Sequence, residues 1–320
     1  MAESDRAPDG AVTRRHFLAA ATALATGATL YGGDARAAAG PLMTRPIPRT
    51  GERLPVIGLG TAIVFDIGED AARRAERSLV IAALVENGAR VIDTAPSYGT
   101  AESVAGDLVA ALGVRDRVFL ATKVRAAPRE AAAAEMQASL RRLRSSRLDL
   151  MQIHTPGTDL AAAADQLALL REWKERGVFR YLGVTHFQEA ANERLIALME
   201  REKLDFVQVN YSMAERSVER RLLPAAAATG TAVLVNLPFA RAKLFSAVRG
   251  KQLPEWAAEF DAASWGQFFL KYVLAHEAVT CVIPGMDRPE YVLDNLNAAR
   301  GRLPDAAMRG KMTGFLDSLR

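Results

Sequence analysis

The stretch Arg90-Val91-Ile92-Asp93-Thr94-Ala95-Pro96-Ser97-Tyr98-Gly99 holds a strand end, a turn and two ionisable side chains. Val91 and Ile92 close a short apolar run, which predicts the end of a buried strand. Asp93 follows at once, so a carboxylate stands at that strand's C-terminal end. Pro96, Ser97 and Gly99 mark a turn that carries Tyr98. A carboxylate and a phenol therefore share one strand-to-helix loop. Read alone, the residues suit a helix-capping aspartate and a surface tyrosine equally well. The neighbouring sequence decides between the two.

Outward from this junction, apolar runs of strand length alternate with amphipathic stretches of helix length. The pattern predicts helices over 71–87, 100–112, 129–144, 160–176, 187–201, 218–229, 264–276 and 289–299. Between them it predicts strands near 56–59 and over 90–92, 118–122, 148–153, 179–184, 206–209, 231–235 and 280–283. Eight strands and eight helices in strict alternation argue for a parallel sheet and, at eight units, for a closed (β/α)8 barrel. Three additions surround it. Residues 42–48 and 52–57 read as an N-terminal hairpin, 237–263 as a long loop after strand seven, and 303–319 as an extra C-terminal helix. Gly58 and Gly60 form no dinucleotide fingerprint, since no third glycine follows at the required spacing. They read instead as sites of close backbone approach.

Polar residues stand where these strands end. Strand two ends in Asp93, strand three in Lys123, strand four in His154 and strand five in Thr185 and His186, about 30 residues apart in each case. Gln208 and Asn210 end strand six, and Asn236 ends strand seven. Successive units thus deliver polar groups to the barrel end where enzymes of this architecture keep their chemistry. Taken singly, Lys123 suits a solvated strand end and His154 a satisfied core histidine. Taken together, aspartate, tyrosine, lysine and histidine outline acid–base chemistry on a carbonyl. A free phenol, with a pKa of about 10, is a poor proton donor near neutrality. A nearby ammonium lowers that value, and Asp93 is placed to hold Lys123 charged. His154 is placed to polarise a carbonyl oxygen. A proton donor aimed at a carbonyl needs a hydride source, which implies a nicotinamide cofactor.

From the hairpin near Leu42 to about Ala299 the chain resembles the aldo-keto reductases. The matching stretches are Gly58-Leu59-Gly60-Thr61, Ile92 to Gly99, Ala121-Thr122-Lys123-Val124, Gln152-Ile153-His154 and Ile283-Pro284-Gly285. The resemblance implies a TIM barrel capped by a hairpin and an NAD(P)H-dependent reduction of an aldehyde or ketone. It implies Tyr98 as proton donor, Asp93 and Lys123 as its tuners, and His154 as the group orienting a small carbonyl substrate. For the cofactor it implies Gln208 against the nicotinamide and Thr185-His186 at the carboxamide, where the family usually has Ser-Asn. Asn236 stands where an aromatic residue often stacks on the nicotinamide. Asp294-Asn295 resembles the pair that contacts adenine. Arg288 is the basic candidate for a 2′-phosphate, which favours NADP(H) over NAD(H). The competing function is a cofactor-binding sensor or accessory subunit built on the same barrel. The complete set of four favours the enzyme, and the histidines show no spacing that suits a metal-dependent hydrolase.

Composition fits this reading. The chain has 320 residues, half of them hydrophobic, and a net charge of +4 with both signs interleaved. No nucleic-acid footprint is expected. Arg141, Arg142, Arg144 and Arg147 cluster at helical spacing and read as a solvated helix face. Cys281 is the lone cysteine and sits in an apolar run, which predicts a buried, inert thiol. The N-terminus reads as a leader. Thr13-Arg14-Arg15-His16-Phe17-Leu18 is a twin-arginine signal, an Ala-rich apolar run follows to about Tyr31, and Ala35-Arg36-Ala37 offers a cleavage site. Residues 1–37 are therefore expected to be removed after export to the periplasm through the twin-arginine machinery, leaving 38–320 as the barrel domain. The apolar run is too short and too rich in Gly and Ala for a stable membrane anchor. The pattern carries no signal for oligomeric state or for a particular substrate.

Overall fold

A computed structural model describes residues 40–125 and 128–319. The expected leader and cleavage site, residues 1–37, and the mature start at Ala38 lie outside the described residues. Strands β1 (Thr44–Pro46) and β2 (Arg53–Pro55) form the hairpin, with Thr44 opposite Pro55. Among the described residues eight parallel strands follow. They are β3 (Leu59–Gly60), β4 (Val91–Asp93), β5 (Phe119–Val124), β6 (Leu148–His154), β7 (Phe179–His186), β8 (Phe206–Asn210), β9 (Ala232–Asn236) and β10 (Val279–Val282). Each pairs with the next in chain order, and bridges from Ile57 to Val282 and from Gly60 to Gly285 close the ring into a (β/α)8 TIM barrel. The seam needs its glycines. A Cβ on Gly58 would stand 2.7 Å from the Val91 Cβ, and one on Gly60 would stand 2.7 Å from the Ile283 carbonyl oxygen.

Two apolar layers hold the barrel. Inside it, Phe119, Leu150, Tyr181, Phe206 and Leu234 pack with Ile47 and Leu54 of the hairpin, which plugs the lower mouth. Polar groups finish that seal: Glu52 accepts from the Tyr181 hydroxyl at 2.6 Å, from Arg180 at 2.7 Å and from Arg90 at 2.9 Å. Outside it, helices lay one apolar face on the strands. The helix Ala71–Glu86 buries Val80, Ile81 and Leu84, residues that share a face at helical spacing. Side-chain caps start several helices. Asp70 accepts from the Arg73 amide, Asp159 from Ala161, Ser264 from Gln267 and Asp305 from Met308; such a cap is worth about 1 kcal/mol.

Three expectations need correction. The helix anticipated from Phe187 begins at Asn192, after a 3-10 turn over Glu189–Ala191. The His186 Nδ1 accepts the Gln188 amide at 3.0 Å, a local bond that competes with helix formation. The helix anticipated from Val218 begins at Leu222, where Pro224 falls in the first turn, the part of a helix that tolerates proline. The arginine cluster is not merely solvated: Arg142 reaches the buried Glu102 at 2.6 Å, and Arg144 pairs with Asp107. Other features stand as read. The long loop after β9 holds a short helix, Lys243–Ala247, and a 3-10 segment, Glu255–Phe260. A C-terminal helix, Ala306–Asp317, docks through Arg309 on Glu219 at 2.7 Å. Cys281 is fully buried, and burial pushes its thiol pKa up.

Candidate active site

The barrel strands end in a cleft of about 890 Å³, within the ~300–1,000 Å³ usual for small-molecule sites. Asp93, Tyr98, His154, Thr185, Gln208 and Asn236 all line it. Lys123 lies just beneath. Its Nζ donates to Asp93 Oδ2 at 2.7 Å and to the Thr94 carbonyl at 2.8 Å, and both partners of this ion pair are almost wholly buried. Burial alone would lower the lysine pKa, but Asp93 and Tyr98 beside it hold it above the ordinary value. The ammonium is therefore fixed in place and in charge.

Tyr98 stands over this pair, with the Lys123 Nζ 5.1 Å from its ring centroid. Burial pushes the phenol pKa up, Lys123 pulls it down, Asp93 pushes it up again, and the balance lies above the ordinary value. The lowering expected from the ammonium is present but does not prevail. Tyr98 consequently carries its proton near neutrality. Its loop is set by local chemistry. Gly99 takes a left-handed φ of 57°, and a Cβ there would lie 2.3 Å from Asp66 Oδ1. That carboxylate accepts both the amide and the hydroxyl of Thr100 at 2.9 Å.

His154 meets the Tyr98 ring edge-on at a centroid distance of 5.8 Å, and its Nδ1 is 3.4 Å from the Ser97 hydroxyl. Burial, followed by the charges of Lys123 and Arg125, lowers its pKa to about 3. The imidazole is neutral, with one nitrogen to donate and one to accept. Thr155, next in the chain, is β-branched and holds φ at 57°, a conformation such residues rarely adopt. Its amide donates to the Thr185 carbonyl at 2.8 Å, which ties the end of β6 to β7.

On the other side of the cleft, Gln208 accepts from Gln152 Nε2 at 3.1 Å, and the same nitrogen lies 3.5 Å from Asp93 Oδ1. Asn236 buries its Oδ1 without a partner among the described residues. An orphaned acceptor beside Thr185 and Gln208 fits a ligand that brings an amide N–H, which is what a nicotinamide carboxamide offers.

Four of the anticipated cofactor residues do not line this cleft. His186 lines a separate pocket of about 230 Å³, because adjacent residues of a strand face opposite sides and Thr185 takes the inner one. Asp294 already accepts from Ser264 at 2.8 Å and from Gln267 at 2.7 Å, and so brackets two helices. Asn295 is buried against that bracket. Arg288 is an exposed residue at the start of the helix Pro289–Asn297 and is not among the cleft-lining residues.

The structure adds residues that the strand-end reading passed over. Gln152 sits two positions before His154, on the same face of β6, and that alternation was open to sequence reasoning. Arg125 and Arg241 line the cleft with Ile63 and Phe187, which are 76% and 45% exposed. Arg241 lies in a run, Ala240 to Ala242, whose three residues all hold left-handed φ angles between 49° and 66°. No sequence pattern marks such a run, since none of its members is glycine.

The sequence profile described as the aldo/keto reductase family matches residues 56–310. Methylglyoxal reductase YeaE of Escherichia coli is 31% identical over 234 residues, spanning 72% of this chain and 80% of that protein. A crystal structure of an aldo/keto reductase from Klebsiella pneumoniae in complex with NADP and acetate superposes with a TM-score of 0.71 at 26% identity, covering 83% of this chain and 92% of the other. An aldo-keto reductase of the same organism in complex with NADPH gives 0.70 at 27% identity, covering 84% and 92%.

Proposed function

The chain belongs to the aldo/keto reductase family, and from that premise we propose that it reduces an aldehyde or ketone to an alcohol at the expense of NAD(P)H, with Tyr98 as general acid. A bound nicotinamide supplies the hydride. Tyr98 gives its proton to the carbonyl oxygen. The buried Lys123 ammonium, anchored by Asp93 and the Thr94 carbonyl, steadies the phenolate left behind. Neutral His154 donates a hydrogen bond to the same carbonyl oxygen and fixes its direction. Thr185, Gln208 and Asn236 form the wall that holds the carboxamide. The observation that carries this reading is the buried Lys123–Asp93 pair within reach of a protonated phenol at the base of an open cleft.

The test is oxidation of NADPH by the purified protein with a panel of aldehydes, methylglyoxal among them, followed by absorbance. No turnover with any member sinks the reading. NADP(H) is the favoured nucleotide, supported by NADP and NADPH in the two Klebsiella relatives and by Arg288 after the last strand. Arg288→Ala should weaken NADPH binding more than NADH binding. Export is part of the same proposal, supported by Arg14-Arg15 ahead of an apolar run. An Arg14→Lys, Arg15→Lys variant should stay in the cytoplasm; undiminished export defeats that part alone.

A further inference from the structure

Two arginines line the cleft, and the topology sets them apart. Arg125 follows β5 and Arg241 follows β9. In a closed ring of eight strands bonded in chain order, these two are four strands apart, so their loops face each other across the mouth. Arg241 rises on the side that holds Gln208 and Asn236. Arg125 rises on the side that holds Tyr98 and His154.

The charges do not balance on the Arg125 side. Asp93 is the one acidic residue among the described residues lining the cleft, and Lys123 already occupies it. The guanidinium of Arg125 makes no ion pair or hydrogen bond within the described residues. Glu135, on the following helix, accepts the Arg125 backbone amide at 2.7 Å. Arg125 is exposed, and its charge helps to keep His154 neutral, which places its field at the reacting end of the cleft. Apolar side chains line the same cleft. Ile63 and Phe187, both exposed, give the rim something to offer a hydrocarbon.

We propose that Arg125 is a specificity residue that recognises a carboxylate on the substrate, so that the compound reduced is an acidic carbonyl, an oxo-acid or aldehyde-acid with an apolar body. This rests on the reductase reading above and names its substrate class. A guanidinium is suited to the task, because it binds a carboxylate through two parallel N–H bonds and keeps its charge at every working pH. The carboxylate docks on Arg125, the apolar body lies against the rim, and the carbonyl is left to His154 and Tyr98.

The experiment compares 4-carboxybenzaldehyde with its methyl ester, which have the same ring and the same reacting group. With the full chain and NADPH, the wild type should favour the acid. Arg125→Ala should lower the acid-to-ester ratio of kcat/KM by ~10- to 100-fold, the size expected for one charge-assisted pair, and most of the change should fall in KM. Arg125→Lys should restore part of it. An unchanged ratio overturns the proposal. So does a loss of NADPH affinity that matches the loss for the acid, which would assign the guanidinium to the nucleotide. A calorimetric arm keeps the two readings apart. If neither aldehyde is reduced, the reductase reading fails. Binding of 4-carboxybenzaldehyde that is present in the wild type and lost in Arg125→Ala then still supports the anion site, and absence of wild-type binding removes it.

Discussion

The two ends of the barrel are built from the same chemical types. At the hairpin end, Tyr181 donates to Glu52, and Arg180 and Arg90 close on the same carboxylate. At the cleft end, Tyr98, Lys123 and Asp93 form a row in which the cation stands between phenol and carboxylate. The order makes the difference. Where the phenol touches a carboxylate directly, it is held protonated as a hydrogen-bond donor: burial and then Glu52 push the Tyr181 pKa up. Where a buried ammonium intervenes, a phenolate left by proton transfer meets a positive charge. The first arrangement is a staple and the second can cycle. Access separates them as well, since the hairpin covers one end and a cleft opens the other.

The largest break in this contrast should come from Tyr98→Phe. Loss of a general acid removes ~10²–10⁴-fold in rate, and nucleotide affinity should be retained. Wild-type turnover by the variant would return Tyr98 to the status of a loop residue. Lys123→Met comes next and should act twice. The rate should fall as the phenolate loses its partner, and the fold should weaken by about 3–5 kcal/mol because Asp93 is left buried and uncompensated. The folded lysine pKa lies above its unfolded value. Its contribution to stability is therefore complete below that unfolded value, about 10.4, and is lost as pH rises through the folded one. Denaturation of wild type and variant across alkaline pH should show the gap narrowing there.

His154 sharpens the contrast through acid. Its folded pKa of about 3 lies well below the unfolded value, so the stability tied to it is complete above about 6.5 and is lost as pH falls toward the folded value. His154→Gln should flatten that stretch of the stability curve. An unchanged slope would mean that the imidazole is charged in the folded protein. The smallest effect belongs to the closed end. Glu52→Gln should cost roughly 1–3 kcal/mol through imperfectly satisfied donors while kcat stays at the wild-type value. A fall in kcat at constant stability would show that the two ends are coupled.

What the strand period carries is legible in the sequence. Asp93, Lys123, His154, Thr185 and Gln208 stand at or near the C-terminal ends of successive strands, and the barrel gathers them at one mouth. Legibility ends where that period no longer decides. His186 follows Thr185 on the same strand and turns to the other face. Arg125 lies beyond the end of β5, where alternation has lapsed. Asp294 has the residue type of an adenine contact, and its carboxylate also accepts from Ser264 and Gln267, partners from another helix start that no local pattern announces. The Glu52 staple draws on Arg90, Arg180 and Tyr181, which no local pattern connects. Long-range polar pairing of this kind becomes visible only when the ring has closed.

That closure also sets a schedule. The seam joins Ile57 to Val282, so it cannot form until β10, the last strand of the ring, has been made. The entropy of closing so long a loop grows only with the logarithm of its length, but pairings this distant form slowly. At a synthesis rate of ~5–20 residues per second, Asp93, Tyr98, Lys123 and His154 all emerge well before β10 does. Gly60 and Gly285 meet at the seam and line the cleft. During that interval the four residues exist with no complete cavity around them. The completion of the cleft and the closing of the ring are one event in time.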